Sequence, residues 1–118
     1  MQIGTDIVSI DRIKESLERF GDRFLDRVFN QEERDTLNLN RVQSVAGYWA
    51  SKEAISKALG CGIGRDLSFL DITISKDRRG KPHFKLSVEA GERFNIRASS
   101  LSIAHDGGFA VAVVAIEF

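Results

Sequence analysis

Residues 49–60 read WASKEAISKALG, and this stretch determines the longest helix of the chain. Alanine, leucine, lysine and glutamate are strong helix formers, and Gly60 follows the last apolar residue, where helices commonly end. Extending the pattern towards the N-terminus predicts one helix from about Arg41 to Leu59. We expect the rest of the fold to pack against this helix.

Charged residues interrupt the apolar face of the predicted helix. The apolar residues that share a face with Glu53 are Val42, Ala46, Trp49 and Ala50. Lys57 joins this face one turn after Glu53. A charge on an apolar face is desolvated, so it is usually paired or bound to a metal ion. The alternative interpretation is an ordinary surface ion pair between Glu53 and Lys57, which is common on helices.

Turn and cap residues divide the remaining chain into short elements. Ser9 is a typical helix N-cap, and Asn30 with Glu33 forms a capping-box pattern. Further helices are predicted at residues 10–20, 22–29 and 88–96, and strands at 1–8, 69–75, 84–86, 100–103 and 109–118. The predicted class is α+β, with a mostly antiparallel sheet packed against one long helix. One domain is expected to span residues 1–118.

The last predicted strand is apolar on both of its faces. Residues 109–118 read FAVAVVAIEF, with Glu117 as the one charged residue. A strand with this pattern is usually covered on both sides. In a chain this short we expect helices to cover one face and a second subunit to cover the other.

The composition is typical of a globular protein without a strong net charge. The chain has 17 basic and 17 acidic residues, so no general attraction to nucleic acid is expected. No apolar run reaches the roughly 20 residues that span a bilayer, and the N-terminus has no signal-peptide pattern. Cys61 is the single cysteine, so no intrachain disulfide forms. These features predict a cytoplasmic protein without membrane or nucleic-acid partners.

An aspartate lies inside the otherwise apolar first strand. Strand interiors contain few aspartates, so Asp6 in the segment IGTDIV is unusual. If Asp6 converges with Glu53, the two carboxylates form a site for a hard cation such as Mg²⁺, which also takes water and phosphate oxygens. The alternative is that Asp6 lies at the end of the strand and caps the helix that follows.

Two further features are compatible with a bound ligand. His105 lies at the end of a strand, where its ring can reach a phosphate or can serve as a hydrogen-bonded structural residue. The loop GCGIGR at residues 60–65 is rich in glycine, so its backbone can approach a ligand closely. It lacks the strand and the Gly-Lys-Ser/Thr ending of a P-loop, so it is a weak nucleotide signature.

Basic residues recur on one side of the first predicted helix. Arg12 and Arg19 share that side, with Ser16 between them and Arg23 beyond. Such a stripe on a protein of zero net charge suits an acidic protein partner. A solvated helix face is the alternative.

Four segments of the chain together resemble the holo-[acyl-carrier-protein] synthase family, small phosphopantetheinyl transferases of bacterial fatty acid synthesis. They are GTDIV at residues 4–8, the helical stretch at 49–60, GKP at 80–82, and SIAHD at 102–106 with FAVA at 109–112. These segments follow the family's order over nearly the whole chain.

The resemblance implies transfer of the phosphopantetheine arm of coenzyme A to a serine hydroxyl of acyl carrier protein, with release of adenosine bisphosphate. It makes Asp6 and Glu53 the ligands of Mg²⁺ and places Lys57 near the phosphates. It further implies coenzyme A contacts from Gly60, Lys81, Pro82 and His105. A homotrimer with active sites between subunits is implied, with acyl carrier protein docking on Arg12, Arg19 and Arg23.

One position departs from the family pattern. Many relatives carry arginine where this chain has Tyr48, and tyrosine cannot make the bidentate phosphate contact of arginine. Lys81, Arg65 or a neighbouring subunit's basic residue are the candidate substitutes.

The resemblance leaves other questions open. The acceptor of the serine proton is Glu53, a metal-associated water or Lys57. The rival functions are a coenzyme A or nucleotide-binding module without catalysis, a metal-dependent phosphodiesterase, and a trimeric structural protein.

Overall fold

The computed structural model describes residues 1–118, which form five helices and five strands. The helices are α1 (Ile10–Phe20), α2 (Asp22–Val28), α3 (Gln31–Thr36), α4 (Val42–Ala58) and α5 (Val88–Phe94). The strands are β1 (Gln2–Ser9), β2 (Ile72–Lys76), β3 (Pro82–Leu86), β4 (Ala98–Asp106) and β5 (Phe109–Glu117). The predicted α+β class is confirmed.

The strands form two antiparallel sheets. The larger sheet has the order β1-β5-β4, so the last strand of the chain lies at its centre. The smaller sheet is the hairpin β2-β3. The strand predicted at residues 69–75 starts later, because Phe69–Asp71 forms a 3-10 turn. The Asp71 carboxylate accepts from the backbone N–H and the hydroxyl of Ser68, which stabilises this turn.

Helix α4 packs across the inner face of the larger sheet. Its contact row is small and buried, comprising Ala46, Ala50, Ala54 and Ala58. Opposite this row, Gly4 of β1 touches the helix backbone: a Cβ added there would lie 1.9 Å from the Ala54 carbonyl oxygen. Only glycine permits this approach, which brings the β1 backbone and the next side chain on the same face, Asp6, close to α4.

The predicted helix ends are largely confirmed. The Ser9 hydroxyl accepts from the Arg12 N–H at 3.4 Å at the start of α1, and Asn30 with Glu33 forms a complete capping box at the start of α3. Because Ser9 caps α1, the interpretation of Asp6 as the cap is wrong. Gly21 ends α1 with a φ of 50°.

The outer face of the larger sheet is open and apolar. On β5 every second residue is buried under α4, namely Ala110, Ala112, Val114 and Ile116. The side chains on the opposite face of the sheet point away from the helix. On β1, Ile3 is 66% exposed and Ile7 62%, and on β5, Phe109 is 46% exposed and Val113 43%. Within one chain the helices therefore cover only one face of β5, as expected from its sequence. No helix is both long and apolar enough to cross a membrane.

Candidate active site

Asp6 and Lys57 meet where β1 lies against the last turn of α4. The Lys57 ammonium donates to Asp6 Oδ1 at 2.9 Å and to the Thr5 carbonyl at 3.2 Å. The second carboxylate oxygen, Asp6 Oδ2, is buried and has no hydrogen-bond partner. A buried oxygen without a partner in the chain is costly, so Asp6 Oδ2 is a candidate ligand for a cation.

Glu53 lies one turn before Lys57 on α4, and its environment disfavours a negative charge. Burial raises the pKa of Glu53, and the Asp6 carboxylate raises it further. Lys57, Arg12 and Arg27 partly oppose this increase in the pKa. The ion pair expected in the ordinary surface interpretation does not form, because Lys57 pairs with Asp6.

The two carboxylates suit a cation that takes its remaining ligands from elsewhere. No third His, Cys, Asp or Glu side chain joins Asp6 and Glu53 in a group that could hold a metal ion. Mg²⁺ commonly takes one or two carboxylates and completes its octahedron with water and phosphate oxygens. The unpartnered Asp6 Oδ2 and the raised pKa of Glu53 fit this donor set.

A cleft of about 460 Å³ opens beside Glu53, between α1, α2 and α4. Its basic residues are Arg12, Arg23 and Arg27, and its apolar walls include Phe20, Phe24, Val28, Trp49, Ile63 and Phe69. The cleft thus combines positive charge, aromatic surface and the Glu53 carboxylate. Such a surface suits an acidic partner with apolar contact residues.

The arginines that line the cleft differ from the expected basic stripe at two positions. Arg12 and Arg23 line it, as expected, but Arg19 does not; its guanidinium lies 5.2 Å from the centre of the Phe20 ring. Arg27 was missed by the sequence analysis. Its signal was its position one turn after Arg23, which places both side chains on the same side of α2.

His105 lies away from the two carboxylates within one chain. Its Nε2 lies 2.8 Å from the Gln43 carbonyl, in the first turn of α4. Ten residues of helix separate Gln43 from Glu53, which corresponds to about 15 Å. In the sheet, β5 separates His105 on β4 from Asp6 on β1. One chain therefore does not bring His105 to Asp6 and Glu53.

Lys81 and Pro82 also lie apart from the carboxylates, on the β2-β3 hairpin. Asp77 orders this turn: its carboxylate accepts from the backbone N–H groups of Arg79 at 2.9 Å and Lys81 at 3.0 Å. Pro82 pairs with Lys76 across the hairpin. The Lys76 ammonium in turn lies 6.0 Å from the centre of the Tyr48 ring.

A second, polar cleft of about 270 Å³ surrounds Tyr48. Its cations are Arg41 and Lys76, it has no carboxylate, and its other polar residues are Thr36, Asn38, Ser44 and Ser75. Two cations with hydroxyl groups and no acid favour an anionic ligand. The candidate substitutes Lys81 and Arg65 do not line this cleft; the cations beside Tyr48 are Arg41 and Lys76.

Gly60 has a conformational role at the end of α4. Its φ is 83°, in the region that glycine adopts readily, and its N–H bonds to the Lys57 carbonyl at 3.0 Å. The helix therefore ends at Ala58, one residue after Lys57. No atom lies within 4 Å of a Cβ added at Gly60, so the backbone is accessible there.

The chain matches one family over almost its whole length. The family model described as the 4'-phosphopantetheinyl transferase superfamily matches residues 2–114. The chain is similar to the holo-[acyl-carrier-protein] synthase of Sulfurovum sp. (strain NBC37-1), with 53% identity over 118 residues that cover 100% of this chain and 98% of the relative. It is also similar to the protein of the same name from Nautilia profundicola, with 54% identity over 112 residues that cover 95% and 96% of the two chains.

A solved structure agrees with the sequence match. The crystal structure of Helicobacter pylori holo-[acyl-carrier-protein] synthase in complex with coenzyme A superimposes with a TM-score of 0.92 and 50% identity, covering 98% of this chain and 99% of that one. The holo-[acyl-carrier-protein] synthase from Neisseria meningitidis superimposes with a TM-score of 0.88 and 35% identity, covering 99% and 98%. By its sequence and its fold, this chain belongs to the 4'-phosphopantetheinyl transferase superfamily.

Proposed function

We propose that this protein transfers the 4'-phosphopantetheine group of coenzyme A to a serine hydroxyl of apo acyl carrier protein, in fatty acid biosynthesis. The products are holo acyl carrier protein and adenosine 3',5'-bisphosphate. The observation that carries this proposal is the buried, unpartnered Asp6 Oδ2 beside Glu53 and Lys57, in a chain of the transferase superfamily. All 118 residues act as one transferase domain in this proposal.

Asp6 and Glu53 are the residues that would hold Mg²⁺. When bound, this ion supplies positive charge against the phosphates of coenzyme A and orients them. Burial and the Asp6 carboxylate both raise the pKa of Glu53, so a nearby positive charge would stabilise its ionised form. Asp6 is held in place by Lys57 through one oxygen, which leaves the other oxygen free to bind.

Lys57 stabilises negative charge on the phosphates in this proposal. Its ammonium donates to two oxygens and about half of its side chain is exposed, so one N–H remains available towards the solvent side. Glu53 is the proton acceptor in this proposal, because its raised pKa suits a general base.

The cleft beside Glu53 receives the acyl carrier protein in this proposal. Acyl carrier protein is acidic, and Arg12, Arg23 and Arg27 supply the complementary charge. Arg19 extends the positive surface outside the cleft and has the weaker role. The apolar wall formed by residues such as Phe20 and Trp49 supplies contact area.

The nucleotide end of coenzyme A is bound in this proposal by groups outside the cleft beside Glu53. The Tyr48 cleft has two cations, Arg41 and Lys76, and suits a phosphate group. Lys81 and Pro82 lie on the hairpin that also carries Lys76. These cations take the place of the arginine that many relatives carry at the Tyr48 position.

A homotrimer would bring the separated groups together. Within one chain His105 of β4 contacts Gln43 in the first turn of α4, and Glu53 lies about 15 Å further along that helix. The open apolar sheet face, with Ile3, Ile7 and Val113 exposed, gives the chain a surface for self-association. In the proposed trimer the active sites lie between subunits, and His105 of one subunit and the carboxylates of its neighbour contact the same coenzyme A.

A cytoplasmic location follows from the proposed reaction. Coenzyme A and acyl carrier protein are intracellular substrates, and the unpaired Cys61 thiol is typical of a reducing compartment.

The decisive experiment is intact-mass analysis of apo acyl carrier protein incubated with this protein, coenzyme A and Mg²⁺. The expected result is a mass increase of one phosphopantetheine group that a chelator prevents. Tight binding of coenzyme A without a mass increase would favour the binding module. Hydrolysis of coenzyme A without an acceptor would favour the phosphodiesterase.

A further inference from the structure

Lys52, the residue before Glu53, is completely buried. Its side chain is 0% exposed, and its ammonium donates to the Val28 carbonyl at 2.6 Å, to Glu33 Oε1 at 2.6 Å and to the Phe69 carbonyl at 2.9 Å. A lysine ammonium has three N–H donors, so all of them are used. No hydrogen bond from Lys52 remains for a substrate.

The residues of these two carbonyls line the cleft beside Glu53. Val28 is the last residue of α2, and Phe69 is the first residue of the 3-10 turn before β2. Both residues line the cleft together with Trp49 and Glu53 of α4. One nitrogen atom therefore ties two walls of the cleft to the helix that carries Glu53.

Glu33 forms a buried cluster with Lys52 and its two carbonyl acceptors. Its Oε1 accepts from Lys52 and from the Asn30 N–H at 3.1 Å, and its Oε2 accepts from the Ile74 N–H at 2.9 Å. The side chain is 0% exposed. The cluster thus joins α2, α3, α4 and β2 through one buried ion pair.

Stability alone does not require a buried ion pair at this position. Desolvation of two charges is expensive, and replacement of a buried pair by apolar residues of similar size is often neutral or stabilising. Burial lowers the pKa of Lys52, while the Glu33 carboxylate opposes this decrease. What apolar residues cannot supply is a set of directed bonds to two backbone carbonyls.

We propose that Lys52 is a positioning residue, which sets the separation of the α2 wall and the Phe69 wall around Glu53 and so shapes the cleft for the acceptor protein. This inference rests on the proposed function, in which that cleft receives acyl carrier protein. Lys52 touches neither substrate. It acts through Val28 and Phe69.

The test separates shape from stability with the double variant Lys52→Met/Glu33→Leu, which removes both charges and keeps apolar volume. The double variant is expected to unfold at a temperature close to that of the wild type. Its half-saturating concentration of acyl carrier protein is expected to rise at least about tenfold, while that of coenzyme A changes less than about twofold. A stable double variant whose half-saturating concentration of acyl carrier protein equals that of the wild type would overturn the proposal.

Trp49 provides a readout that does not depend on turnover. It is the single tryptophan of the chain, it lines the cleft, and its ring centre lies 6.2 Å from that of Phe69. Movement of the Phe69 wall in the double variant should shift the Trp49 emission. An unchanged emission spectrum together with an unchanged acceptor requirement would count against a positioning role.

An exposed pair of the same residue types serves as the matched control. Lys85 Nζ and Glu32 Oε1 lie 3.0 Å apart on the surface, and neither residue lines the cleft. The variant Lys85→Met/Glu32→Leu should leave both half-saturating concentrations and the Trp49 emission unchanged.

The variant Lys52→Arg decides the outcome if the double variant does not fold. It keeps the positive charge, but the planar guanidinium cannot direct its donors at the same three acceptors. A folded Lys52→Arg protein with the same selective loss for acyl carrier protein supports the proposal. Unfolding of both variants would assign Lys52 a purely structural role and overturn it. If the wild type transfers no phosphopantetheine in the mass assay, the proposed function has failed. If the wild type is active but the Lys52 variants show no selective rise in the half-saturating concentration of acyl carrier protein, only the positioning role is refuted.

Discussion

The Lys57 ammonium lies 2.9 Å from Asp6 Oδ1, joining residues that are 51 positions apart in the chain. This contact orients the Asp6 carboxylate and leaves its second oxygen buried without a partner. Glu53 lies one turn away on the same helix, with its pKa raised by burial and by Asp6. Carboxylates that share one site raise each other's pKa, and a cation bound between them would relieve this repulsion.

The isosteric variants Asp6→Asn and Glu53→Gln test the two proposed metal ligands. Each should lower the transfer rate at least about 100-fold, the scale on which loss of one key electrostatic group acts. The rate is measured by intact-mass analysis of acyl carrier protein at saturating Mg²⁺. Glu89→Gln, on the exposed start of α5, is the control and should retain wild-type activity. Near-normal rates in both site variants would remove Asp6 and Glu53 from the metal site.

Glu53 should also lower the stability of the metal-free protein. Its folded-state pKa is raised above the ordinary value of about 4.3. The neutral form is therefore favoured on folding, and stability is lost as the pH rises through the raised pKa. In a chelator, Glu53→Gln should unfold at higher urea concentration than the wild type at pH 7. This difference should vanish below about pH 4.

In the presence of magnesium, the wild type should become more stable than Glu53→Gln. Binding to the folded wild type adds stability, whereas Glu53→Gln has lost a ligand and gains little. Glu15→Gln, exposed on α1, should show neither effect and serves as the control. A wild type that is more stable than Glu53→Gln in chelator at pH 7 would contradict the predicted sign.

Charge reversal in the cleft should act on the acceptor protein selectively. Arg12→Glu and Arg27→Glu should each raise the half-saturating concentration of acyl carrier protein about tenfold, with a smaller effect on coenzyme A. Steady-state kinetics with each substrate varied in turn measures the ratio. Arg19→Glu changes the same charge outside the cleft and should have the smaller effect. An equal or larger effect at Arg19 would move the docking surface out of the cleft.

Removing the cations beside Tyr48 should act on coenzyme A instead. The double variant Arg41→Ala/Lys76→Ala should raise the half-saturating concentration of coenzyme A about tenfold, because charge-assisted contacts to a phosphate are lost. The value for acyl carrier protein should stay near that of the wild type. Lys85→Ala is the control for loss of a surface lysine. If the coenzyme A value does not change, the Tyr48 cleft is not a phosphate site.

A charge on the open sheet face should disrupt the proposed trimer. Val113→Glu places a carboxylate at the centre of the exposed face of β5. We expect a monomer by light scattering and a transfer rate reduced at least about tenfold, because desolvating the charge in an interface is costly. Val88→Glu, at an equally apolar but 74% exposed position on α5, should remain assembled. A trimeric Val113→Glu protein would show that another surface forms the interface.

Much of the local structure was predictable because it depends on near neighbours. The Ser9 cap, the Asn30–Glu33 capping box and the Gly21 break use residues within one helical turn of each other, and the structure confirms all three. The strand at residues 69–75 was predicted too early. The alternation of apolar residues there is typical of a strand, but residues 69–71 form a 3-10 turn, because the Asp71 carboxylate accepts a hydrogen bond from the Ser68 N–H.

The candidate site was predictable only in part. A charge on an apolar helix face and an aspartate in an apolar strand marked Glu53 and Asp6, because desolvation makes such positions unusual in any fold. The roles of Lys52 and Arg27 were missed. For Lys52 the reason is that its acceptors are two backbone carbonyls and a glutamate from three other segments, and backbone carbonyls leave no trace in side-chain patterns.

The amino-acid order alone determined which segments become helix or strand, which faces are apolar, and which charged residues lie among apolar neighbours. These properties follow from periodicity and capping, which act over a few residues. The tertiary structure alone decided that Lys57 pairs with Asp6 rather than Glu53, that Arg27 enters the cleft while Arg19 stays outside, and that His105 lies far from the carboxylates of its own chain. Such distances depend on how α4 crosses β1 at Gly4, a contact between remote parts of the chain that no local pattern encodes.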